Sequence, residues 1–458
     1  MYTNSQYHAV KINESLCYGC THCMSVCPTE AIRISNGKAS IRRDWCVDCG
    51  ECMKSCPVDA FFVEQDDFEK IFNYKYRIAL VPAVMIGQFP SNVSESEIFS
   101  IMREIGFTNT FQLEHTTEVV NEAMLAFQEQ NHAKPLISSF CPAVVRLIQV
   151  RFPSLVDQII LVKPPIDASA IFLRKKLQDK GIPENEIGIF YVTPCAAKIA
   201  AIKSPVGEEK STVDGVINMD FIYNKVYQGI QSRRSKSIAR SSKDSLPTLG
   251  KKSLQWALTD GEAPYMKGRC LAIDEIHNVI DFLEKIENEE ITNVDFLELR
   301  ACDESCAGGI LVMGNRFLTA ERLRKRAGLC KDMPDMPEDL KPYHDYLIKR
   351  MVLSPVVPRS MLMLDEDTTK AYQKMLQIRK IIDYLPGIDC GACGAPGCQS
   401  LAKDIVSHDA KLSNCVFIQR TMEKHSKLHK DHSIKTIETI WGEKRLDKGY
   451  SKSETNES

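Results

Sequence analysis

The chain has 458 residues, 44% of them hydrophobic, which is enough for two to four domains with substantial cores. Its 58 basic and 60 acidic side chains nearly cancel, so the charge gives no support to a nucleic-acid partner or an anionic membrane surface. No apolar run reaches the length of a membrane span, and the polar stretch Met1–Ser15 lacks a signal-peptide core. These features predict a soluble, cytoplasmic protein without membrane insertion.

Cysteine is the residue type whose use is most informative. There are eighteen, and most of them stand two to four residues apart. Disulfide frameworks are typical of short exported chains, whereas this chain is long and carries no export signal. The cysteines therefore predict metal clusters in a reducing compartment. Cys270 and Cys330 lie outside every cluster motif and are assigned no role.

The first 66 residues contain one cysteine motif twice. Each copy has the spacing Cys-x2-Cys-x2-Cys-x3-Cys-Pro, which is typical of bacterial two-cluster ferredoxins, where the fourth cysteine of each copy binds the other cluster. A zinc ribbon is the alternative, and the doubled pattern disfavours it. We therefore predict a small α+β ferredoxin domain over residues 1–66 with two [4Fe-4S] clusters. Their ligands would be Cys17, Cys20, Cys23 and Cys56 for the first, and Cys46, Cys49, Cys52 and Cys27 for the second.

Residues 77–330 alternate apolar strand-like runs with amphipathic helices, which predicts an α/β domain with a parallel or mixed sheet. The run Arg77–Ile86 reads as one strand buried on both faces. Sites in such folds lie beyond the carboxyl ends of the strands, where Cys141 and Cys195 occur. The remaining predicted elements are helices over 94–105, 117–130, 143–152 and 167–180, strands over 110–113, 136–139, 187–192 and 295–299, and a helical apolar face within 270–286.

Two further cysteines, Cys302 and Cys306, follow the last of these strands. Their i, i+4 spacing predicts that both point the same way from one helical turn, and the glycines behind them permit close backbone approach. Two thiolates cannot hold a cubane, so Cys141 and Cys195 are candidates for the other two ligands.

These segments resemble a known family. In order, Cys141-Pro142, Pro194-Cys195-x-x-Lys198 and Glu298-x3-Cys302-x3-Cys306 resemble the three cysteine segments of the [FeFe]-hydrogenase catalytic domain. The resemblance implies that the four cysteines hold a [4Fe-4S] cubane. It also implies that Cys306 bridges to a diiron unit with CO, cyanide and a dithiolate, and that Lys198 donates a hydrogen bond to a cyanide. The implied activity is reversible splitting of H2 into two protons and two electrons, after cofactor insertion by maturation proteins.

The chain departs from the productive enzymes of that family at several positions. Phe140 stands where a cysteine passes protons to the cofactor, and Ala201 replaces a glutamate. Thr193 and Arg300 replace flanking methionines, and Ser305 replaces a glycine. Arg300 would place a fixed positive charge beside the cluster and alter its potential. The departures predict slow turnover, as in a sensory branch of the family that converts hydrogen tension into a redox signal.

Two other classes of protein stay open. One is a hydrogenase-like iron–sulfur assembly or scaffold protein, and the other is an electron carrier; neither would have a diiron site. If Phe140 blocks the usual proton route, Glu262, Glu275 or Glu298 are unranked alternatives, and each is also compatible with a surface or capping role. Because the chain shows no kinase, phosphatase or PAS-type module, any output must pass to an electron-transfer or signalling partner.

The C-terminal third contains a fourth cysteine motif. Residues 331–370 read as a connecting segment, and 371–430 as a small, mostly helical domain that resembles the cluster domain of the B subunit of the Rnf complex. Zinc is the competing occupant, because four thiolates satisfy either metal. Residues 232–253 read as a solvated basic insertion, and 431–458 as a charged tail with a disordered end. The predicted [4Fe-4S] ligands of this domain are Cys390, Cys393, Cys398 and Cys415.

Overall fold

The structure is a computed structural model that describes residues 7–235, 249–330, 336–359, 364–365 and 367–446. Parts of the predicted basic insertion and connecting segment lie outside these ranges, as does the end of the tail that was predicted to be disordered. Among the described residues, no helix has the length and apolar character needed to cross a membrane.

Eleven strands are described. In chain order they are β1 Val10–Ile12, β2 Ile32–Ser35, β3 Lys38–Ile41, β4 Phe61–Val63, β5 Tyr76–Val81, β6 Asn109–Gln112, β7 Leu136–Ile137, β8 Ile187–Thr193, β9 Gly215–Asn218, β10 Cys270–Ile273 and β11 Phe296–Leu299.

Eighteen α-helices are described, several of them single turns. In chain order they are α1 His22–Ser25, α2 Glu51–Lys54, α3 Ala83–Gly87, α4 Glu95–Glu104, α5 Thr117–Gln130, α6 Pro142–Arg151, α7 Pro165–Gln178, α8 Ala196–Lys203, α9 Met219–Ser235, α10 Lys251–Trp256, α11 Ile276–Glu287, α12 Arg316–Leu329, α13 His344–Ile348, α14 Thr368–Tyr384, α15 Cys398–Val406, α16 Val416–Lys424, α17 Lys430–Trp441 and α18 Glu443–Leu446.

The chain forms two compact units. The large unit comprises Met1–Ala9, Val47–Cys49 and Val63–Pro358, and the small unit comprises the rest. The second cysteine motif is thus divided, because Asp48 forms a fully buried ion pair of 2.9 Å with Arg146 on α6 and accepts a 2.8 Å hydrogen bond from His8 or its ring. This pairing accounts for the assignment of Val47–Cys49 to the large unit.

Two parallel sheets position the central residues of the large unit. One has the order β6-β5-β8-β9 and the other β10-β11-β7, and every pairing between these strands is parallel. Helices flank them, so the predicted α/β class is confirmed. Every residue of β8 is buried, as expected for a central strand covered on both faces. The carboxyl ends of β7, β8 and β11 lead into the segments that carry Cys141, Cys195 and Cys302.

Most predicted elements of the large unit are found with small shifts at their ends, but one strand prediction is partly wrong. The run Arg77–Ile86 is a strand only to Val81, and α3 begins after Pro82. Proline cannot donate to a strand ladder, whereas its fixed φ suits the entry to a helix. Pro82 therefore turns the apolar run into a buried helical turn.

The small unit contains the ferredoxin-like motif residues and the C-terminal helices. β2 and β3 form an antiparallel hairpin, and α17 packs against β2. Amides of Asn36 and Gly37 in the hairpin turn donate to carbonyls of Thr439 and Ile440, at 2.8 and 2.9 Å. Residues 430–446, which sequence analysis places in a charged tail, are thus largely helical and packed.

Candidate metal centre

Three strand ends deliver the central cysteines. Cys141 is the N-cap of α6 after β7, and Cys195 is the N-cap of α8 after β8. Because the amino end of a helix carries partial positive charge, both positions favour a thiolate. The side chain of Thr193 accepts from the Cys195 amide at 3.3 Å and donates to its carbonyl at 2.9 Å, which fixes the entry to α8.

The Cys302–Cys306 segment is not the helical turn that the i, i+4 spacing suggests. Glu304 and Ser305 adopt left-handed backbone conformations with φ of 56° and 53°, and the 3₁₀ turn begins only at Ser305. Left-handed φ favours glycine, which is the residue that Ser305 replaces in the family resemblance. The spacing therefore predicted the wrong local geometry for this loop.

Glycines bring this loop against the Cys195 loop. A Cβ atom on Gly309 would lie 2.5 Å from the Pro194 carbonyl oxygen, and one on Gly308 would lie 2.0 Å from the Asp303 oxygen. The Leu311 amide also donates to the Pro194 carbonyl at 3.0 Å. The predicted close approach at these glycines is present, and its partner is backbone.

Lys198 is the cation at the centre of the cysteines. It is 4% exposed, and its Nζ lies 3.6 Å from the Cys306 sulfur. Burial opposes its charge, but nearby Cys306, Tyr191, Cys195 and Cys141 outweigh burial and raise its pKa. Burial raises the pKa of the Cys195 thiol to about 12, with Lys198 acting against it. An unmetallated thiol there would stay protonated, so a thiolate at Cys195 needs a cation or a metal.

A second buried cation, Arg300, is held by two carboxylates. Its Nη2 lies 2.8 Å from a Glu262 oxygen, and its Nε donates to Glu298 at 3.3 Å. The Glu298 carboxylate also accepts amides of residues 261, 262 and 263 at 2.8–3.2 Å, and Ser138 donates to Glu262 at 2.9 Å. Burial raises the pKa of Glu262, whereas Arg300 lowers it. This network lies beside the cysteine loop and was not ranked from the sequence.

Phe140 lies between the site cations and a tryptophan. Its ring centre is 4.2 Å from the Lys198 nitrogen and 3.9 Å from the Arg300 guanidinium carbon, and Trp256 packs edge-on at 4.7 Å. These contacts are cation–π interactions in a desolvated setting. Phe140 and Lys198 also line a cleft with Pro142 and Arg146. The phenyl ring offers no proton donor on this wall.

Glu275 has a different role from the other two candidate glutamates. Its carboxylate accepts amides of His277 and Asn278 at 3.1 and 3.3 Å, so it caps α11. This is the capping role that the sequence left open for it.

Glu114 is a buried acid that the sequence analysis missed. It is 3% exposed, accepts the Ala83 amide at 2.7 Å, and its other oxygen has no hydrogen-bond partner among the described residues. Burial raises its pKa from 4.5 to about 7, with Lys198 acting in the opposite direction. A single glutamate beside a histidine in an irregular segment gives no sequence signal of this burial.

Glu114 predicts a pH dependence of stability. Between pH 4.5 and about 7 the folded chain retains a proton on Glu114 that the unfolded chain has released, so the free energy of unfolding falls as pH rises. The contribution is at most about 3 kcal/mol. We expect Glu114→Gln to remove that part of the slope in urea unfolding at pH 5 and pH 7.5. Equal slopes in both proteins would contradict this.

The small unit gathers the first ferredoxin-like set. Burial raises the pKa of the Cys23 thiol to about 12, reinforced by nearby Cys20, Cys17 and Cys56. Amides donate to sulfurs in this unit, from Ala39 to Cys17 at 3.3 Å and from Ala60 to Cys56 at 3.2 Å. Amide–sulfur bonds of this kind stabilise thiolates that bind iron. The donor set fits a cubane.

The C-terminal cysteines also lie together. Cys393, Cys398 and Cys415 belong to the apolar core formed by α14 and α15. Burial raises the pKa of the Cys393 thiol to about 11, with Cys415 and Cys390 adding to it. Cys390 is exposed. Four thiols in a small core fit either an iron–sulfur cluster or zinc.

Three family models match the chain. Residues 76–224 match "Iron only hydrogenase large subunit, C-terminal domain", residues 16–61 match a 4Fe-4S dicluster domain, and residues 385–417 match an Fe-S cluster family. The first match contains Cys141, Cys195 and Lys198 and ends before Cys302 and Cys306. The ligand roles of these residues remain predictions.

Individual relatives are distant or partial. "Uncharacterized protein MJ0119" of Methanocaldococcus jannaschii is 39% identical over 64 residues, which span 14% of this chain and 29% of that protein. The [FeFe]-hydrogenase HydA(deltaEFG) is 12% identical with a TM-score of 0.44 over 64% of this chain and 97% of its own. A variant of HydA1 from Chlamydomonas reinhardtii is 13% identical with a TM-score of 0.43, over 62% and 94% respectively.

The domain matches agree with the predicted order of modules along the chain. The dicluster domain comes first, the hydrogenase domain follows, and the additional cluster domain is C-terminal. The chain is therefore an [FeFe]-hydrogenase-like iron–sulfur protein that combines an iron-only hydrogenase C-terminal domain with two further iron–sulfur modules.

Proposed function

We propose that the protein catalyses the reversible conversion of H2 into two protons and two electrons, at low turnover, and serves as a hydrogen sensor. The observation that carries this proposal is the buried Lys198 ammonium 3.6 Å from the Cys306 sulfur, with Cys141 and Cys195 in the same pocket. A lysine in that place costs desolvation energy, which a purely structural core would avoid.

The proposed cofactor is a cubane held by Cys141, Cys195, Cys302 and Cys306, with a diiron unit attached through Cys306. When bound, the diiron unit supplies the heterolysis of H2, which protein side chains cannot perform. Lys198 would donate hydrogen bonds to an anionic ligand of that unit and hold it in place. Arg300 would hold a positive charge near the cluster, because Glu262 and Glu298 fix its guanidinium.

Low turnover follows from the contacts of Phe140. Its phenyl ring contacts Lys198 and Arg300 where the productive enzymes carry a proton-donating cysteine, so protons need another route. Ser138, Glu262 and Glu298 form a buried polar chain on the Arg300 side, and that chain is the candidate route. A slow catalyst whose electrons leave through iron–sulfur clusters suits signalling to a partner protein.

Restoring a donor tests this account of turnover. We expect Phe140→Cys to raise H2-dependent dye reduction roughly tenfold to a hundredfold, at or below the usual contribution of a positioned proton donor. Phe140→Ala is the matched control, because it opens the same space without a thiol. Equal rates in the two variants would mean that space rather than proton donation limits turnover.

The proposed activity itself is tested by dye reduction under H2 with anaerobically matured protein. Activity in the unaltered chain and its loss in Cys306→Ser would support the proposal. If matured protein shows no activity although its cubanes are intact, the assembly-protein and electron-carrier alternatives gain support.

A further inference from the structure

The loop of the C-terminal cysteine motif packs directly on the first ferredoxin-like motif. A Cβ atom on Gly391, between Cys390 and Cys393, would lie 2.9 Å from the terminal carbon of Met24. Met24 is 4% exposed and follows Cys23 in the chain. Gly391 has φ of +71°, so the absence of a side chain serves both the turn and this contact.

Backbone hydrogen bonds fix that loop in place. The Gly394 carbonyl accepts the Ile34 amide from β2 at 2.9 Å, and a Cβ atom on Gly394 would lie 2.4 Å from the Ile34 carbonyl oxygen. The Trp441 indole donates to the Ala392 carbonyl at 3.0 Å. The cysteine loop is thus held between the hairpin and α17, which restrains it on two sides.

Ion pairs hold the rest of the C-terminal domain on the same hairpin. Asp404 on α15 is 4% exposed and accepts from Arg33 at 2.5 and 3.1 Å, while Arg42 lies 2.9 Å away. Arg445 donates to the carbonyls of Tyr18 and Gly19, which lie between Cys17 and Cys20, at 2.5 and 2.9 Å. The contact therefore surrounds the first cysteine motif and is partly buried and charged, unlike a loose linker-tethered arrangement.

We propose that the C-terminal cluster exchanges electrons directly with the cluster of Cys17, Cys20, Cys23 and Cys56, through the Met24–Gly391 contact. In each transfer one [4Fe-4S] cluster gives up one electron and is oxidised, the other accepts it and is reduced, and no proton moves. The C-terminal cluster is then the outer station of the electron chain, and its exposed cysteine is the end that meets solvent. This inference rests on the proposed cluster ligands of the proposed function and adds the order of transfer.

Electron paramagnetic resonance of the full-length reduced protein tests the proposal, because two nearby paramagnetic clusters broaden each other's signals. Cys398→Ser should remove the C-terminal cluster, about four iron atoms per chain, and sharpen the signal of the first ferredoxin-like cluster. Cys330→Ser is the matched control, since it removes a thiol of the large unit that has no assigned ligand role. In that control both iron content and line shape should stay unchanged.

A reciprocal variant and the unaltered protein guard against misfolding. Cys20→Ser should remove the first cluster and leave a sharp C-terminal signal, and stepwise reduction of unaltered protein should show broadening only as the second of the two clusters is reduced. Unchanged line shapes after loss of either cluster, or zinc in place of C-terminal iron, would overturn the proposal. Because this readout senses only cubanes, it is independent of whether a diiron unit is present.

Discussion

Asp404→Ala is expected to lower the free energy of unfolding of the small unit by about 3–5 kcal/mol, because it leaves the buried Arg33 guanidinium without its carboxylate. Arg33 is 9% exposed, and both of its bonds to Asp404 come from the side of the hairpin. The change also removes a partner of Arg42. Urea unfolding and hydrogen exchange of the β2–β3 amides would measure the loss.

Asp409→Ala is the matched control for that variant. Asp409 also pairs with Arg42, at 2.7 Å, but its side chain is 57% exposed. An exposed ion pair contributes about 0–1 kcal/mol, so the control should unfold much like the unaltered protein. If the two variants lose equal stability, the buried Arg33–Asp404 pair does not hold the C-terminal domain on the hairpin.

Glu298→Ala is expected to destabilise the large unit by a similar amount, about 3–5 kcal/mol. The carboxylate is fully buried, accepts three consecutive amides from residues 261–263 and pairs with Arg300. Alanine would leave those amides and part of the guanidinium unsatisfied in a desolvated pocket. Hydrogen exchange at residues 261–263 should rise together with the loss in urea stability.

Glu298→Gln separates charge from hydrogen bonding in this network. It keeps an oxygen that accepts amides but removes the negative charge opposite Arg300, so its loss in stability should be smaller than that of alanine. Exposed Glu287 provides the surface control as Glu287→Ala. Unchanged exchange at residues 261–263 in Glu298→Ala would contradict the assigned role of the carboxylate.

Sequence patterns predicted the α/β class and most helices of the large unit because hydrophobic periodicity persists there. The helix Thr117–Gln130 has the same bounds in the structure as in the prediction. The pattern was insufficient where one residue redirected an apolar run, as Pro82 does between β5 and α3. Periodicity alone cannot separate a buried strand from a buried helical turn.

The charged part of the site was harder to predict. Glu298 stands inside the apolar strand β11, which is an unusual position for a carboxylate and the one available signal. Its partners Glu262 and Arg300 come from different segments, so only tertiary structure makes them a network. The same holds for α17, whose polar sequence resembles a solvated tail but whose carbonyls and Trp441 bind the hairpin and cysteine loop.

The central claim is that Cys141, Cys195, Cys302 and Cys306 carry a cubane linked to a diiron unit. Infrared spectroscopy of the anaerobically matured protein tests it most directly, because few other groups in a protein absorb in the region of metal-bound CO and cyanide stretches. The account predicts such bands in the unaltered protein and their loss in Cys306→Ser. Matured protein with its cubanes present and no CO or cyanide bands would contradict it.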